Sequence, residues 1–433
     1  MMSLADLKTG TVFIFCCMLY VVPGFSQDSV FARQMIQTLS SKEMYGRSAS
    51  HQGEWKAAEV VAKTMQENHL SAFNNNYFQS VAYANKAYNG AITLQIDGVS
   101  LIPFEDFVIA PESKCAAICA AGVVLQDTNF STLQYKKKYR NKFIIIDLSK
   151  ETQLPASTEK IRTAAIQWAL RHQALGLIFL TNNFRPYRVS EFQHYKDLVV
   201  VEIKKSVFST AIQSAVPVLC LSGTTTFLPD YRTRNVIAYT EGTSAKDSFI
   251  VITAHYDHLG SMGDNTVFHG ANDNAASVAL MLDLAKTIQK NPARYTLVYI
   301  ACCGEEMGLL GSKFFVENPL IDLSRIKIVL NFDLLCAGEE GIAVINGLNL
   351  PREMDWLTTI NNENNYLPTV TPAENSRNSD HYWFTTQGVP AFFVLAKGKT
   401  AKGHHPDDRC ENCTLSGYNA IFKLFYQFIQ TLD

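Results

Sequence analysis

Apolar runs alternate with amphipathic stretches along residues 234–433, and the run Thr296–Cys302 is the clearest of them. It is rich in β-branched and aromatic residues, which is typical of a strand buried on both faces. Gly304 interrupts the run, Glu305 and Glu306 follow at once, and Met307–Glu317 has the pattern of a helix. The two glutamates are therefore predicted at the C-terminal end of a central strand, where open α/β sheets bind ligands. Taken alone, the pair fits equally well with exposed acids that open a helix.

The same part of the chain contains several further apolar runs and amphipathic stretches. The runs predict strands at Asn235–Glu241, Ser248–His255, Ile326–Phe332, Gly341–Asn346 and Ala391–Leu395. The amphipathic stretches predict helices at Ala275–Gln289, Met354–Asn362 and Tyr418–Leu432. Strands that alternate with helices predict the α/β class, with an open, mixed and mainly parallel sheet sandwiched by helices.

The first half of the chain has a different pattern of apolar and polar residues. Residues 28–70 are predicted to be helical, with a second helix at Glu54–Asn68, and residues 77–110 to form strands. Residues 100–225 then carry short apolar runs around one amphipathic helix, Thr158–His172. The strands predicted there are Lys142–Asp147, Gly176–Thr181 and Val216–Leu221. We therefore predict a smaller, β-rich α+β domain at 100–225, inserted between an N-terminal helical part at 27–99 and the main part of the larger domain at 226–433.

The N-terminus has the pattern of an export signal. Lys8 precedes the apolar stretch Thr11–Val22, which is too short to span a bilayer. Pro23, Gly24 and Ser26 form a small-residue cleavage site, which predicts a signal peptide at 1–26. The mature protein would then be periplasmic or extracellular, without an integral membrane span. An uncleaved anchor is the alternative.

Size and charge limit the classes of function. A chain of 433 residues exceeds one ordinary core, so two domains are expected. The 38 Lys and Arg residues against 40 Asp and Glu residues give a net charge of −2. This balance gives no reason to expect a nucleic-acid partner or binding to an anionic membrane surface.

Eight cysteines follow the predicted signal segment. Three of them lie in or beside apolar runs and are predicted to be buried thiols: Cys302, Cys303 and Cys336. The other predictions are two local disulfides in polar loops, Cys115–Cys119 and Cys410–Cys413, because disulfides persist in oxidising compartments.

Histidines and carboxylates cluster at the predicted strand ends of residues 234–433. Five of these side chains are suited to binding zinc with open coordination positions: His255, Asp273, Glu306, Asp333 and His404. Five ligands exceed the needs of one catalytic zinc and match two ions, roughly 3.5–4 Å apart, that share a carboxylate. Asp257 is placed to accept a hydrogen bond from the far ring nitrogen of His255. For Asp273 alone, a helix N-cap is the simpler interpretation.

These residues fall in motifs that resemble the co-catalytic dizinc exopeptidases, which include bacterial zinc aminopeptidases and glutamate carboxypeptidases. The matching stretches are His255–Asp257, Gly270–Ser277, Gly304–Ser312, Asn331–Asp333, Ser379–His381 and His404–Asp408. The resemblance implies that His255 and Asp333 bind one Zn²⁺, that Glu306 and His404 bind the other, and that Asp273 bridges both. It also implies that Glu305 is the general base, and that residues 100–225 form the protease-associated insert of this family.

The sequence departs from the family at one position. Many relatives carry Tyr immediately before the last ligand histidine, where this chain has Gly403. Tyr382 could take over the role of that tyrosine in assisting the oxyanion. His405 is the alternative to His404 as a ligand. The other nearby histidines are predicted to support ligands or face substrate: His258, His269 and His381.

The resemblance implies a zinc aminopeptidase that acts on peptides, and the N-terminal signal pattern implies that it is secreted. Two zinc ions lower the pKa of a shared water, Glu305 takes its proton, and the resulting hydroxide attacks the scissile carbonyl. Three alternatives remain on the same frame: a carboxypeptidase or dipeptidase, a glutaminyl cyclase with one zinc, and a receptor-like binding protein with a decayed site.

Overall fold

The computed structural model describes residues 29–111, 113–125, 129–130, 137–149, 155–184, 198–399 and 403–432. The predicted signal peptide lies outside the described residues. No helix within these ranges is both long and apolar enough to cross a bilayer.

The described residues form fourteen strands, which join in one mixed sheet. In chain order they are β1 (Phe78–Ile96), β2 (Val99–Leu101), β3 (Phe107–Ile109), β4 (Ile118–Val124), β5 (Phe143–Asp147), β6 (Gly176–Thr181), β7 (Val199–Lys204), β8 (Val218–Thr240), β9 (Ala245–His255), β10 (Tyr295–Cys302), β11 (Ile326–Phe332), β12 (Gly341–Ile345), β13 (Val370–Ala373) and β14 (Ala391–Lys397).

Nine α-helices accompany these strands in the described ranges. They are α1 (Ser29–Leu39), α2 (Gly53–Glu67), α3 (Pro155–Arg171), α4 (Lys205–Ala211), α5 (Ala276–Lys290), α6 (Leu310–Glu317), α7 (Pro351–Asn364), α8 (His381–Thr386) and α9 (Tyr418–Thr431). Helix α1 shows why such stretches are helical and docked: it buries Ala32, Met35, Ile36 and Leu39, which recur at the spacing of one helix face.

Four adjacent strands at the centre of the sheet run parallel in the order β14, β11, β9, β10. Strand β10 is buried at every position, as its continuous apolar run predicts. The pairing register sets Cys302 beside His255 and Asn331 beside Thr253, so β9, β10 and β11 end at one edge. This confirms the predicted open, mixed α/β sheet with helical cover, and it brings the polar residues that follow these strands together.

Strand β8 connects this region to the sheet of residues 100–225. It pairs antiparallel with β10, β1 and β4, and β4 to β7 continue as a parallel sheet edged by β3. The strands predicted at Val216–Leu221 and Asn235–Glu241 are the two ends of this one long strand. A separate core packs α3 against β5 and β6, around the fully buried Trp168. The exact boundaries of the inserted domain stay a prediction.

The disulfides differ from those expected. Cys119 bonds Cys220, its direct partner in the β4–β8 ladder, and Cys336 bonds Cys413. The predicted pairs Cys115–Cys119 and Cys410–Cys413 are therefore wrong, and so is the buried thiol predicted for Cys336. Strand pairing and loop packing, rather than nearness along the chain, select the partners. The prediction of buried thiols is confirmed for Cys302 and Cys303.

Candidate metal centre

The three central strands deliver their ligand-type side chains to one edge of the sheet. His255 ends β9, Glu305 and Glu306 follow β10, and Asp333 follows β11. Two other segments complete the group: Asp273 lies in the turn Ala271–Ala275 before α5, and His404 lies in the loop before α9. The structure thus brings together all five side chains that the sequence analysis singled out.

Four distances define the geometry of this cluster. His255 Nε2 lies 3.3 Å from Asp273 Oδ1 and 3.4 Å from Asp333 Oδ1. His404 Nε2 lies 3.3 Å from Asp273 Oδ2 and 3.3 Å from Glu306 Oε2. Two atoms bound to one tetrahedral zinc at 2.0–2.1 Å are about 3.3 Å apart. All four distances match this spacing, so the side chains could hold two zinc ions with little rearrangement.

Asp273 is the residue common to both halves of the cluster. One carboxylate oxygen faces His255 and the other faces His404. The Asp333 Oδ1 atom is buried and accepts no hydrogen bond from the described residues. A buried carboxylate oxygen without a partner is costly, and a cation would satisfy it. The donor set therefore fits a pair of zinc ions that share Asp273.

Two further residues, Glu305 and His258, belong to wider groups of possible ligand atoms. Ligand atoms of His255, Glu305 and Asp333 lie within 4.8 Å of one another, as do those of His258, Asp273 and Glu306. Glu305 Oε2 is 4.0 Å from His255 Nε2, beyond the tetrahedral spacing. His258 Nδ1 is 2.7 Å from Glu306 Oε1, which is hydrogen-bond distance. We therefore favour His258 as a residue that orients Glu306, and Glu305 as an acid beside the cluster.

The clustered carboxylates shift the pKa values of the histidines and acids at this site. Burial alone would lower the pKa of His255, but the carboxylates of Glu305 and Asp333 outweigh it and raise that pKa well above its usual value. Burial similarly opposes ionisation of Glu306, yet His404 holds its pKa at about 2. Burial raises the pKa of Glu305 well above its usual range, and Glu306 adds to this effect.

Asp257 links two of the strand ends. Its carboxylate accepts the backbone N–H groups of Glu305 at 3.0 Å and Glu306 at 3.2 Å. Its backbone carbonyl lies 3.1 Å from His255 Nδ1, whereas its carboxylate is 3.6 Å from that nitrogen. Asp257 thus orients the imidazole through its main chain and positions the two glutamates through its side chain.

A hydrogen-bonded chain fixes the carboxylate of Asp333. Thr253 Oγ1 donates to Asn331 Oδ1, and Asn331 Nδ2 donates to Ser379 Oγ at 2.7 Å. Ser379 Oγ donates in turn to Asp333 Oδ2 at 2.8 Å, which leaves Oδ1 directed at His255. In the sequence, no motif marks Thr253, and Ser379 is marked only as part of the stretch Ser379–His381.

Asp408 supports the turn that carries Asp273. Its carboxylate accepts the N–H groups of Asn272 at 2.8 Å and Asp273 at 3.0 Å. Its position four residues after His404 is the available sequence signal, since one loop then supplies a candidate ligand, His404, and the support of another, Asp273.

His404 and His405, the two alternative ligands in this loop, have different surroundings. His404 faces the cluster, whereas His405 accepts the Asp407 N–H and packs its ring against Phe104. Within the described part of the chain, the atom nearest to a Cβ added at Gly403 is Asp273 Oδ2, at 3.9 Å.

Three other polar side chains have partners of their own. Tyr382 packs against Trp383 and lies under Arg377. His269 pairs with the Ser40 carbonyl, and His381 with Asn375.

An open α/β sheet that carries histidines and carboxylates at the carboxyl ends of its parallel strands defines a fold of the zinc exopeptidase class. Residues 235–429, just under half of the chain, match the model of Peptidase family M28.

Curated relatives match parts of the chain. The probable lipoprotein aminopeptidase LpqL of Mycobacterium tuberculosis is 34% identical over 34% of this chain and 28% of its own length. Aminopeptidase YwaD of Bacillus subtilis is 26% identical over 49% of this chain and 47% of its own length. The chain thus aligns with less than half the length of these relatives.

Solved structures share the fold over nearly the whole chain. The zinc aminopeptidase BSAP from Bacillus subtilis covers 92% of this chain and 93% of its own, with 19% identity and a TM-score of 0.66. The aminopeptidase from Aneurinibacillus sp. strain AM-1 covers 94% of this chain and 97% of its own, with 18% identity and a TM-score of 0.61.

Proposed function

We propose that this protein is a zinc-dependent exopeptidase of the aminopeptidase type, which removes N-terminal residues from peptides. One observation carries the proposal: four nitrogen–oxygen distances of 3.3–3.4 Å, joined through the two oxygens of Asp273, match the ligand spacing of two zinc ions. Glu305 stands beside this cluster without belonging to either pair of ligands.

We assign His255 and Asp333 to one ion, Glu306 and His404 to the other, and Asp273 to both. The Oδ1 and Oδ2 atoms of Asp273 face different histidines, which supports the bridging role. Three ligands per ion leave open coordination positions, as a catalytic site needs.

Glu305 is the general base in this proposal. Zinc ions held by these ligands would lower the pKa of a bound water, polarise a carbonyl and favour the ionised form of Glu305. Glu305 accepts the proton of that water and later passes it to the leaving amine. Its amide is held by Asp257, and its side chain is only 12% exposed, so the carboxylate acts from a fixed and nearly dry position.

Residues of the proposed insert border this site. Phe104 packs edge-on against His405 with ring centroids 4.9 Å apart, and against Phe268 at 5.3 Å. This supports a recognition role for residues 100–225, with an aromatic wall that would favour apolar side chains in the substrate.

Export to the periplasm or the extracellular space is part of the proposal. The N-terminal pattern of residues 1–26 motivates it, and two disulfides among the described residues are consistent with an oxidising compartment.

Metal analysis combined with a peptide panel tests the proposal. We expect about two zinc ions per chain, cleavage of free aminoacyl peptides, and no cleavage of N-acetylated ones. Chelation should abolish turnover and zinc should restore it. One zinc with cyclisation of N-terminal glutamine would favour a cyclase, cleavage of N-blocked peptides a carboxypeptidase, and an absence of zinc a binding protein.

The substitution Glu305→Gln distinguishes a role in proton transfer from a role in zinc binding. We expect it to retain both zinc ions and to lose kcat by about 10²–10⁴-fold. Glu317→Gln, on the exposed side of α6, is the matched control. Near-normal turnover in Glu305→Gln, or full activity in rigorously metal-free protein, would contradict the mechanism.

A further inference from the structure

Arg47 is a charged side chain that is completely buried beneath the candidate metal centre. It lies between α1 and α2, in a loop with positive φ at Tyr45, Gly46 and Arg47 itself, and it has no exposed surface. A buried guanidinium is costly unless its donors are paired. Burial lowers the pKa of Arg47, but only to about 10, so the group is charged at neutral pH.

The guanidinium of Arg47 donates to five backbone carbonyls. Nε donates to Tyr256 O at 2.7 Å, and one Nη1 bond goes to Leu39 O at 2.8 Å. The other Nη bonds go to the turn before α5, at 2.7 Å to His269 O, 2.8 Å to Gly270 O and 3.0 Å to Asp273 O. One side chain thus ties the residue after His255 to the residue proposed to bridge two ions.

Two side chains form hydrogen bonds with the backbone of the turn at residues 269–273. Arg47 holds its carbonyls, while the carboxylate of Asp408 holds the N–H groups of Asn272 and Asp273. The backbone of the Arg47 loop adds to the contact, because His258 N donates to Arg47 O and Gly260 N donates to Gly46 O.

We propose that Arg47 is a positioning residue for the metal centre. Its guanidinium group sets the separation of His255 and Asp273. Zinc affinity therefore depends on the docking of the N-terminal segment that carries Arg47. The inference rests on the proposed function, since it assigns Arg47 to the same two-ion site. Its charge alone would act in the opposite direction, because a buried cation near the site repels zinc. When Arg47 is replaced, loss of its positioning role would therefore lower zinc affinity, whereas loss of its charge would raise it.

Zinc affinity of Arg47→Lys and Arg47→Met, measured by competition with a chelator, distinguishes the two effects. Lysine keeps the charge but cannot span the carbonyls on both sides. If positioning dominates, both variants lose zinc affinity by about 10–100-fold, as is typical when support of a ligand is removed. The visible spectrum of the cobalt-substituted protein should change as well. Unchanged affinity in Arg47→Lys with tighter binding in Arg47→Met would show a role of charge alone and overturn the inference.

Arg162→Lys is the matched control. Arg162 is also buried, but it pairs with Glu202 at 3.0 Å within the inserted region. The Arg162→Lys substitution should lower thermal stability and leave zinc affinity unchanged. If the Arg47 variants behave in the same way, Arg47 is merely structural. If the wild-type protein binds no zinc, the proposed function fails instead.

Hydrogen exchange on the wild-type protein tests the inference without a substitution. Zinc should slow exchange in residues 40–53, which surround Arg47, and leave the core of α3 unchanged. The absence of zinc-dependent protection in residues 40–53 of a protein that binds zinc would also overturn the proposed coupling, even if the Arg47 variants did not fold.

Discussion

Replacing Glu54 with glutamine should stabilise the protein more and more as the pH rises. Glu54 lies in the first turn of α2 and has no exposed surface. Its carboxylate oxygens accept the Tyr83 hydroxyl at 2.8 and 3.1 Å. Burial and the nearby charge of Asp257 raise the pKa of Glu54 to about 8 from an ordinary value of 4.5.

The sign of the effect follows from proton binding. Between pH 4.5 and 8 the folded protein holds a proton on Glu54 that the unfolded chain has lost, so stability falls as the pH rises. The loss is about 1.4 kcal/mol for each pH unit and about 3 kcal/mol at pH 7. Glutamine is neutral at every pH and escapes this loss.

Calorimetric unfolding of the zinc-free protein from pH 4 to pH 9 measures the difference. The melting temperature of Glu54→Gln should equal that of the wild type near pH 4.5, exceed it increasingly up to pH 8, and stay above it by a constant margin beyond. Glu67→Gln, an exposed position on the same helix, is the control and should show no such trend. A difference that is constant with pH, or a wild type that gains on the variant as pH rises, would refute the reasoning.

Two further variants test the disulfide that joins Cys336 to Cys413 and the hydrogen bond from Ser379 to Asp333. Replacing Cys336 and Cys413 by alanine opens a bridge across 77 residues and should cost about 2–5 kcal/mol, seen as a lower melting temperature. The same melting temperature as in Cys410→Ala, which loses only a free thiol, would contradict this. Ser379→Ala removes the hydroxyl that orients Asp333 and should weaken zinc binding by about 10–100-fold, whereas Ser376→Ala in an exposed turn should not. Equal affinities in the two serine variants would exclude the orienting role.

The elements of the sheet could be predicted wherever burial leaves a continuous apolar signal. Strands β6 and β11 were predicted with their observed bounds, because each is buried at nearly every position. Strand β7 is also buried at nearly every position, but it is not among the predicted strands. The middle of β8 is different: Thr224–Thr226 pair with β1 through the backbone while lying largely at the surface, so hydrophobicity does not mark them as one strand.

The disulfides could not be predicted, since sulfur atoms join according to which strands and loops pack together. The antiparallel ladder of β4 and β8 sets Cys119 opposite Cys220, 101 residues away. Short spacing within a loop, as in Cys410 and Cys413, carries no information about such a ladder.

The candidate ligands were accessible to sequence reasoning because metal binding demands particular side chains at strand ends. Arg47 and Asp408, which hold the segments that carry these ligands, were not, because their hydrogen bonds go to the backbone. The side chain of Arg47 donates to five carbonyls, and the carboxylate of Asp408 accepts N–H groups, so neither contact constrains the identity of the residue it touches. A spacing of 3.3 Å between ligand atoms nevertheless depends on where those backbone segments lie. Substitutions at Arg47 or Asp408 should therefore alter metal affinity even when every ligand is retained.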